Sequence, residues 1–171
     1  MRIPQFVAGL ALVLSVASAA QQVDLGPGSV VARVQSLKAG QYVWVPDIAP
    51  KGPLLLLVNL KAQRATLYRN GVPIGASTVS TGRPGYSTPT GSFKPIRMHK
   101  MWYSSKYENA PMPYAIFFHG GYAIHGTTDV AHLGQIASHG CVRLHPDNAE
   151  LLFDLVNKVG MKNTRISLIR S

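Results

Sequence analysis

The stretch Ser138-His139-Gly140-Cys141-Val142-Arg143 contains the single cysteine of the 171-residue chain, and the rest of the sequence can be understood around it. A second stretch, Ile124-His125-Gly126-Thr127, precedes it closely. An unpaired cysteine is often a small buried hydrophobic residue, but Ser138, His139 and Gly140 do not suit a core strand. We therefore interpret Cys141 as a nucleophile and expect the fold to hold a carbonyl group in front of it.

The chain is strongly basic, with 17 Lys and Arg residues against 7 Asp and Glu residues and a formal net charge of +10. A charge of this size favours an anionic partner, which at this point includes nucleic acid, acidic lipid and a carboxylate-rich cell-wall polymer. The length suits one domain with a hydrophobic core of its own.

Residues 1–20 have the pattern of a secretory signal peptide. Arg2 gives a minimal positive region, Phe6–Val16 is an apolar run, and Ala17-Ser18-Ala19 fits a cleavage site for signal peptidase. The alternative is an uncleaved membrane anchor, but the run is shorter than the roughly 20 apolar residues that cross a bilayer. We expect an exported protein of the periplasm or cell wall, without stable membrane insertion after cleavage and without a nucleic-acid partner.

Residues 21–52 are polar and punctuated by Gly and Pro, and we expect an N-terminal arm or linker rather than a separate domain. Val30–Val34 and Tyr42–Val45 could each form a short strand within it. The main domain is expected to cover residues 53–171.

The first half of that domain has the signals of successive strands. Asn70-Gly71 is a strong hairpin turn signal between two β-rich runs. The predicted strands are Leu54–Leu60, Ala65–Arg69, Val72–Thr81 and Ser92–Met98. This series predicts a mainly β fold with one or two helices, of the sandwich or barrel type.

The second half contains the candidate site. The stretch from His99 to Pro113 has no clear period and is interpreted either as a flap over the site or as an ordinary surface loop. The remaining predicted elements are a hairpin of Tyr114–His119 and Tyr122–His125, a loop over Thr127–Ala137, an extended segment over Cys141–Leu144, a helix over Pro146–Val159 and a last strand over Thr164–Ile169.

A cysteine nucleophile requires partners, because the thiolate is the reactive form and the free thiol has a pKa of about 8.5. His125, at the end of the predicted hairpin, is the best candidate for the general base and acid. Gly140 allows close approach of the backbone, so the N–H groups of Gly140 and Cys141 are candidate donors to an oxyanion.

A metal site is the main alternative from another class of chemistry. Five of the six histidines share a short span with Cys141, and imidazole and thiolate are ligands for transition metals. These histidines are His119, His125, His132, His139 and His145. Their spacing matches no compact zinc pattern, and the chain has neither a CxxC nor an HExxH motif, so we predict no metal site.

The two central stretches, 124–127 and 138–143, resemble the active-site signature of the L,D-transpeptidase catalytic domain, the YkuD family. Thr88-Pro89-Thr90-Gly91 and Met112-Pro113-Tyr114 resemble features that accompany this signature. The resemblance covers roughly residues 53–170.

The resemblance implies a role for each residue of the candidate site. It implies that Cys141 is the nucleophile, that His125 is the general base and acid, and that the Gly126 carbonyl orients the imidazole. Ser138, His139 and Gly140 would shape the pocket and the oxyanion hole. Arg143 and Tyr114 would bind substrate, and the guanidinium could hold a carboxylate of a stem peptide or brace the loop.

The function that the resemblance implies is peptidoglycan biosynthesis, in support of the cell wall and cell shape. The cysteine would attack the third residue of a stem tetrapeptide, release D-alanine and transfer the acyl group to an amine, which gives a 3-3 cross-link. This implied chemistry requires no metal and no other cofactor. Variants of this chemistry are an L,D-carboxypeptidase and an enzyme that anchors a lysine-bearing envelope protein. Outside enzymes, a non-catalytic wall-binding protein or an exported metal-binding protein remains open.

Overall fold

The computed structural model describes residues 29–171, and these form two β-sheets and two α-helices, which confirms the predicted mainly β fold class. The helices are α1 (Ser29–Arg33) and α2 (Pro146–Val159). The strands are β1 (Tyr42–Trp44), β2 (Leu54–Asn59), β3 (Arg64–Arg69), β4 (Val72–Thr78), β5 (Gly91–Phe93), β6 (Arg97–Tyr103), β7 (Pro111–His119), β8 (Tyr122–Gly126), β9 (Val142–Leu144) and β10 (Thr164–Ile169).

The larger sheet has six strands in the order β1-β4-β3-β2-β10-β5. All neighbouring strands are antiparallel except β10 and β2, which run parallel. Although β2 is apolar along almost its whole length, its side chains alternate between buried and half-buried positions, since successive residues of a strand face opposite sides of the sheet. Leu54, Leu56 and Val58 face the core.

The smaller sheet, in the order β6-β7-β8-β9, carries the two central stretches of sequence. Its last pair, β8 and β9, is parallel and places His125 opposite Arg143. Cys141 is the residue immediately before β9, so this pairing brings the two candidate stretches side by side.

Helix α2 packs against β7 and β8 and shares one hydrophobic core with the six-stranded sheet. The helix begins at Pro146, where the imidazole Nδ1 of His145 accepts a hydrogen bond from the N–H of Asp147. Leu152, Phe153 and Val156 are buried on its inner face. The predicted helix is confirmed, because its apolar spacing matches the face that the sheets cover.

The strand predicted at Val30–Val34 is wrong, because these residues lie in α1 and the short 3-10 turn that follows it. Val30 and Val34 are one helical turn apart, so helical backbone places both on the same side. There they pack with Leu37 against Val43 and Ala76 of the six-stranded sheet. The arm is thus attached to the body by a small apolar cluster.

Two other segments differ from their predicted form. Ser92–Met98 is divided between β5 and β6, which belong to different sheets, and Pro95 lies between them where a ladder N–H would be needed. The aperiodic stretch from His99 to Pro113 is mostly a hairpin of β6 and β7, with a loop only at residues 104–110. Strand β6 lies at a sheet edge with most side chains partly exposed, so no period of two appears in its sequence.

The expected signal peptide, residues 1–20, lies outside the described residues, as does the start of the expected arm. Within residues 29–171 no helix combines the length and the apolar character needed to cross a membrane.

Candidate active site

Cys141 lies at the entrance of β9, where the parallel pairing of β9 with β8 fixes its neighbours. Its sulfur is 3.9 Å from the carbonyl oxygen of Gly121. On one side it packs against the buried cluster of Met112, Ala115, Phe117 and Ala123, while part of the side chain remains accessible. The thiol is therefore held by the core of the smaller sheet and can still be reached from outside.

The thiol opens into a cavity of about 660 Å³. Five of the predicted site residues line this cavity, namely His125, Ser138, His139, Cys141 and Arg143. Much of the remaining lining comes from the β6–β7 hairpin, including its loop at residues 104–110. The fold therefore brings the two central stretches to one cavity that could accommodate a peptide.

His125 is only 6% exposed, and its Nδ1 lies 2.7 Å from the carbonyl oxygen of Gly126. A carbonyl oxygen can only accept a hydrogen bond, so Nδ1 carries the proton of the neutral ring and Nε2 keeps a free lone pair. Burial lowers the pKa of His125 from 6.5 to about 4, the bond to Gly126 opposes this shift, and the positive charge of Arg143 adds to it. The imidazole is thus a neutral base at pH 7.

Burial also raises the pKa of the Cys141 thiol. A hydrogen bond from the backbone of Ala123 and the charge of Arg143 act in the opposite direction without overcoming burial. Because the pKa of the thiol is raised and that of His125 is lowered, both groups are uncharged at neutral pH. The resting site holds a thiol and an imidazole rather than an ion pair.

Ser138 is fully buried, and its hydroxyl forms two hydrogen bonds with the backbone of the residues that follow it. Its Oγ accepts the N–H of Gly140 at 3.0 Å and donates to the carbonyl oxygen of Cys141 at 2.6 Å. The N–H of Gly140, one of the two oxyanion donors expected from sequence, is therefore already occupied. Of these two expected donors, the N–H of Cys141 remains for an oxyanion.

His139 forms the rim of the cavity together with side chains from two other loops. Its Nε2 accepts a hydrogen bond of 2.7 Å from the guanidinium of Arg83, and the ring of Tyr107 stacks on it. Tyr86 adds an edge contact with ring centroids 4.7 Å apart. Desolvation, and then the charges of Arg83 and Arg143, lower the pKa of His139, which keeps the ring neutral and able to accept.

Arg143 lines the cavity beside Asp129, with 3.7 Å between Nη1 and Oδ2. Its backbone is fixed by two hydrogen bonds with Ser80, of 2.8 and 3.1 Å. The guanidinium keeps donors for a second anion, since one carboxylate at this distance does not occupy a planar group with five N–H bonds.

Tyr114 was expected to bind substrate, but it does not line the cavity. Its positive φ of 55° interrupts the regular alternation of β7, and the side chain packs on helix α2. There its hydroxyl donates to Glu150 at 2.6 Å and its ring lies edge-on to Phe153. The structure thus places Tyr114 on helix α2 rather than in the lining of the cavity, and its substrate-binding role stays a prediction. Gly126 does not line the cavity either, and a Cβ there would come within 3.0 Å of Cα of Pro146 and 3.2 Å of Cγ of Pro113.

Gln63 supports the site although sequence reasoning did not identify it. It is buried with a positive φ of 53°, and its side-chain amide bonds both the N–H and the hydroxyl of Thr81. The carbonyl of Thr81 in turn accepts the N–H groups of Ala137 and Ser138. A glutamine in a turn looks like a surface residue in sequence, and the features that distinguish Gln63, its burial and its positive φ, appear only in the structure.

The histidine-rich span does not gather into a metal-binding group. Among residues 29–171, no three His, Cys, Asp or Glu side chains come together in a way that could hold a metal ion. His132 bonds Asp129, and His145 caps helix α2.

Comparisons with known proteins agree with this geometry. A family model described as the L,D-transpeptidase catalytic domain, YkuD, matches residues 53–166. The protein YkuD of Bacillus subtilis is 26% identical over 140 residues, which are 78% of this chain and 78% of that protein. An L,D-transpeptidase structure from Stackebrandtia nassauensis has a TM-score of 0.61 and 27% identity over 71% of this chain.

A further solved L,D-transpeptidase, in complex with imipenem, has a TM-score of 0.62 and 27% identity over 68% of this chain. The matched regions span 57% of the Stackebrandtia nassauensis chain and 59% of the imipenem-bound chain, so this chain matches a little over half of each solved structure.

Proposed function

The chain belongs to the YkuD family of L,D-transpeptidase catalytic domains, and on that premise we propose that it is an exported L,D-transpeptidase that works through a cysteine acyl-enzyme. The observation that carries the proposal is the shared cavity of Cys141 and His125. The Nδ1 of His125 is held by Gly126, so its Nε2 is available to take the thiol proton. Export is proposed from the signal-like residues 1–20.

In the first half-reaction, the sulfur of Cys141 bonds to the carbonyl carbon of the third residue of a stem tetrapeptide. The thiol proton moves to Nε2 of His125, and the carbonyl electrons form an oxyanion near the N–H of Cys141. Collapse of this intermediate breaks the C–N bond, and Nε2 returns the proton to the departing amine of D-alanine. A thioester on Cys141 remains.

The neutral resting pair affects how this step proceeds. Since burial disfavours both the thiolate and the imidazolium, proton transfer accompanies attack instead of preceding it. The charged pair then forms only when substrate provides an electrophile. A thiol kept neutral is also less prone to oxidation or alkylation in an extracellular compartment.

In the second half-reaction, an acceptor attacks the thioester carbonyl, gives its proton to Nε2 of His125 and releases the sulfur, which recovers that proton. An amine from a neighbouring stem peptide would give a 3-3 cross-link. A lysine of an envelope protein would give anchoring, and water would give the carboxypeptidase reaction. We propose the stem-peptide amine as the principal acceptor.

The charge of the cavity suits an acyl-donor peptide that ends in a carboxylate. Arg97, Lys106 and Arg143 contribute positive charge to its walls, against Glu108 and Asp129. The D-alanine carboxylate of a tetrapeptide would find Arg143 close to the cysteine, and the net charge of +10 would hold the enzyme near an anionic polymer.

Product analysis tests the proposal directly. Purified peptidoglycan fragments with tetrapeptide stems are incubated with the wild type, Cys141→Ala and His125→Gln, and the products are read by mass spectrometry. His119→Gln is the matched control, because His119 is an exposed histidine at the end of β7 that does not line the cavity. We expect dimers and free D-alanine from the wild type and the control only.

The outcomes separate the alternatives. Release of D-alanine without dimers would assign the carboxypeptidase reaction, and identical products from wild type and Cys141→Ala would end the catalytic proposal. Because a relative was solved with imipenem, we also expect this β-lactam to acylate Cys141. Thiol attack opens the strained ring without a leaving group, so the mass should rise by the whole imipenem mass in the wild type and stay unchanged in Cys141→Ala.

A further inference from the structure

Thr88 is a buried residue of the turn Thr88-Pro89-Thr90-Gly91, and its hydroxyl reaches the turn before the cysteine. The Oγ accepts the N–H of Gly82 at 2.9 Å and lies 2.8 Å from the carbonyl oxygen of Gly140. A hydroxyl has one proton, and a carbonyl oxygen can only accept, so Thr88 donates to Gly140. The direction of this hydrogen bond is thereby fixed.

The bond from Thr88 holds a complete peptide group. The carbonyl of Gly140 and the N–H of Cys141 belong to the same planar unit, and no peptide bond among residues 29–171 is cis. In a trans peptide the C=O and N–H point in opposite directions. A hydroxyl that fixes the Gly140 carbonyl therefore also fixes the direction of the Cys141 N–H.

Three backbone groups next to the Cys141 N–H are already used. The Ser138 hydroxyl accepts a hydrogen bond from the N–H of Gly140 and donates one to the carbonyl oxygen of Cys141. The Thr88 hydroxyl donates to the carbonyl oxygen of Gly140. Two hydroxyls from distant parts of the sequence thus occupy three backbone groups. The Cys141 N–H is the group of this turn that they leave for an oxyanion.

The position of Thr88 is itself closely determined. A Cβ on Gly82 would come within 1.8 Å of the carbonyl oxygen of Tyr86 and 2.9 Å of the N–H of Thr88. Only glycine fits there, and its N–H supplies the bond that orients the Thr88 hydroxyl. The two hydrogen bonds of the Thr88 hydroxyl are with Gly82 and Gly140 and not with the thiol, so Thr88 acts on the site through the peptide group between Gly140 and Cys141.

We propose that Thr88 is a positioning residue that aims the Cys141 N–H at the oxyanion of the transition state. The proposal rests on the proposed acyl-transfer function. Thr88 does not bind substrate and does not change the thiol or the imidazole. Its effect is on the charge that develops on the carbonyl oxygen, which exists only in the transition state and the tetrahedral intermediate.

The test compares Thr88→Val, which keeps the shape and removes the hydroxyl, with Thr88→Ser, which keeps the hydroxyl. Loss of a whole oxyanion donor lowers kcat by about 10²–10³-fold. A donor that remains but points in the wrong direction should lower kcat less, by about 10–100-fold. We expect this loss of kcat with little change in KM for Thr88→Val. Thr88→Ser should stay within about threefold of wild type, as should Thr90→Val, a control at an exposed threonine of the same turn.

Alkylation of Cys141 by iodoacetamide distinguishes positioning from a damaged site. This reaction forms no oxyanion, so all three variants should be alkylated at the wild-type rate. A Thr88→Val protein with wild-type kcat would overturn the proposal. Equal losses of alkylation and acyl transfer would also overturn it, because they would indicate general disruption of the site.

A measurement on the unmodified protein covers the case in which Thr88→Val does not fold. A peptide aldehyde adds the sulfur of Cys141 to its carbonyl carbon and forms a hemithioacetal, whose oxygen takes the place of the oxyanion. We expect the amide proton of Cys141 to shift downfield and exchange more slowly in the adduct, while that of Gly140 changes little. The reverse pattern would overturn the proposal, even if no tetrapeptide proved to be a substrate.

Discussion

The imidazole of His139 is stacked on the ring of Tyr107, with centroids 4.3 Å apart and planes 20° apart. This contact joins the tip of the β6–β7 hairpin to the stretch that carries Cys141. Arg83 donates to the edge of the same imidazole, so the ring is held from its face and its edge. The hairpin loop thereby encloses one side of the cavity.

Replacement of Tyr107 should weaken this enclosure. An aromatic pair contributes about 0.5–1.5 kcal/mol beyond burial, which corresponds to a change of roughly 2- to 12-fold in an equilibrium. We expect Tyr107→Ala to raise KM by such a factor and Tyr107→Phe to match the wild type, since stacking needs no hydroxyl. Steady-state kinetics checks this, with Tyr103→Ala, at an exposed tyrosine where β6 ends, as control. Equal KM values for all variants would contradict a role for the stack.

The reactivity of Cys141 should depend steeply on pH. Burial raises the pKa of the thiol, and the pKa of His125 lies near 4, so no thiolate–imidazolium pair forms at neutral pH. We expect the rate of iodoacetamide alkylation to increase about tenfold per pH unit from pH 6 to pH 8.5, because the thiolate fraction does. His125→Gln should show the same profile. A rate that stays constant between pH 5 and pH 8 would instead demonstrate an ion pair.

Folding stability should fall in mild acid because of His125. Its folded-state pKa is lowered from 6.5 to about 4. Between these pH values His125 is therefore protonated in the unfolded chain and neutral in the folded protein. The free energy of unfolding therefore decreases as the pH falls from about 6.5 to 4, and above that range the titration of His125 does not change it. The loss amounts to about 3 kcal/mol.

Urea unfolding at pH 7 and pH 4 measures this effect when the wild type and His125→Gln are compared. Carboxylates titrate in both proteins, so the difference between them isolates the histidine. We expect the variant to lose about 3 kcal/mol less than the wild type. Parallel losses would mean that His125 is accessible to protons in the folded state.

Local signals in the sequence were sufficient for much of the fold. The Asn70-Gly71 turn joins β3 to β4, and the apolar spacing of Pro146–Val159 gave the helix with its observed bounds. These elements depend on residues near each other in the chain. The arm helix was missed because Val30, Val34 and Leu37 suit either a helix or a strand until the partner surface is known.

The candidate site was predictable only in part for the same physical reason. The motifs at residues 124–127 and 138–143 indicated two stretches that belong to one site, and the β8–β9 pairing places these stretches side by side. The hydrogen bond of Thr88 to Gly140 joins residues 52 positions apart, and no local pattern encodes it. No local pattern encodes the positive φ of Tyr114 inside β7 either, and its side chain packs on helix α2.

Arg64 should anchor the N-terminal arm to the body. Its guanidinium donates to the carbonyl oxygens of Val34 at 3.1 Å and Leu37 at 2.8 Å. Hydrogen bonds from a charged donor are worth about 1.5–3 kcal/mol each when buried, and partial exposure reduces that. We expect Arg64→Met to destabilise the protein by about 1–3 kcal/mol and to speed tryptic cleavage at Lys38. Arg165→Met, at an exposed arginine, is the control and should change neither.

Gly140 should tolerate no side chain, for two separable reasons. Its φ is +110°, and a Cβ would lie 2.7 Å from Cε1 of Tyr122. Gly71 shares a positive φ of 79° but has open space around it, so Gly71→Ala measures the backbone strain alone. We expect Gly71→Ala to cost about 1 kcal/mol with full activity. Gly140→Ala should cost more and lower kcat by at least about 100-fold, because moving this residue moves the Cys141 N–H.

The double variant Gly140→Ala with Tyr122→Ala separates crowding from strain. Removing the ring relieves the close contact and leaves the positive φ, so thermal unfolding should show part of the stability regained. The kcat should remain low, since the peptide that carries the Cys141 N–H still has to adopt a backbone conformation that alanine disfavours. Full recovery of kcat in the double variant would show that contact with Tyr122 alone, and not the conformation of Gly140, makes glycine necessary.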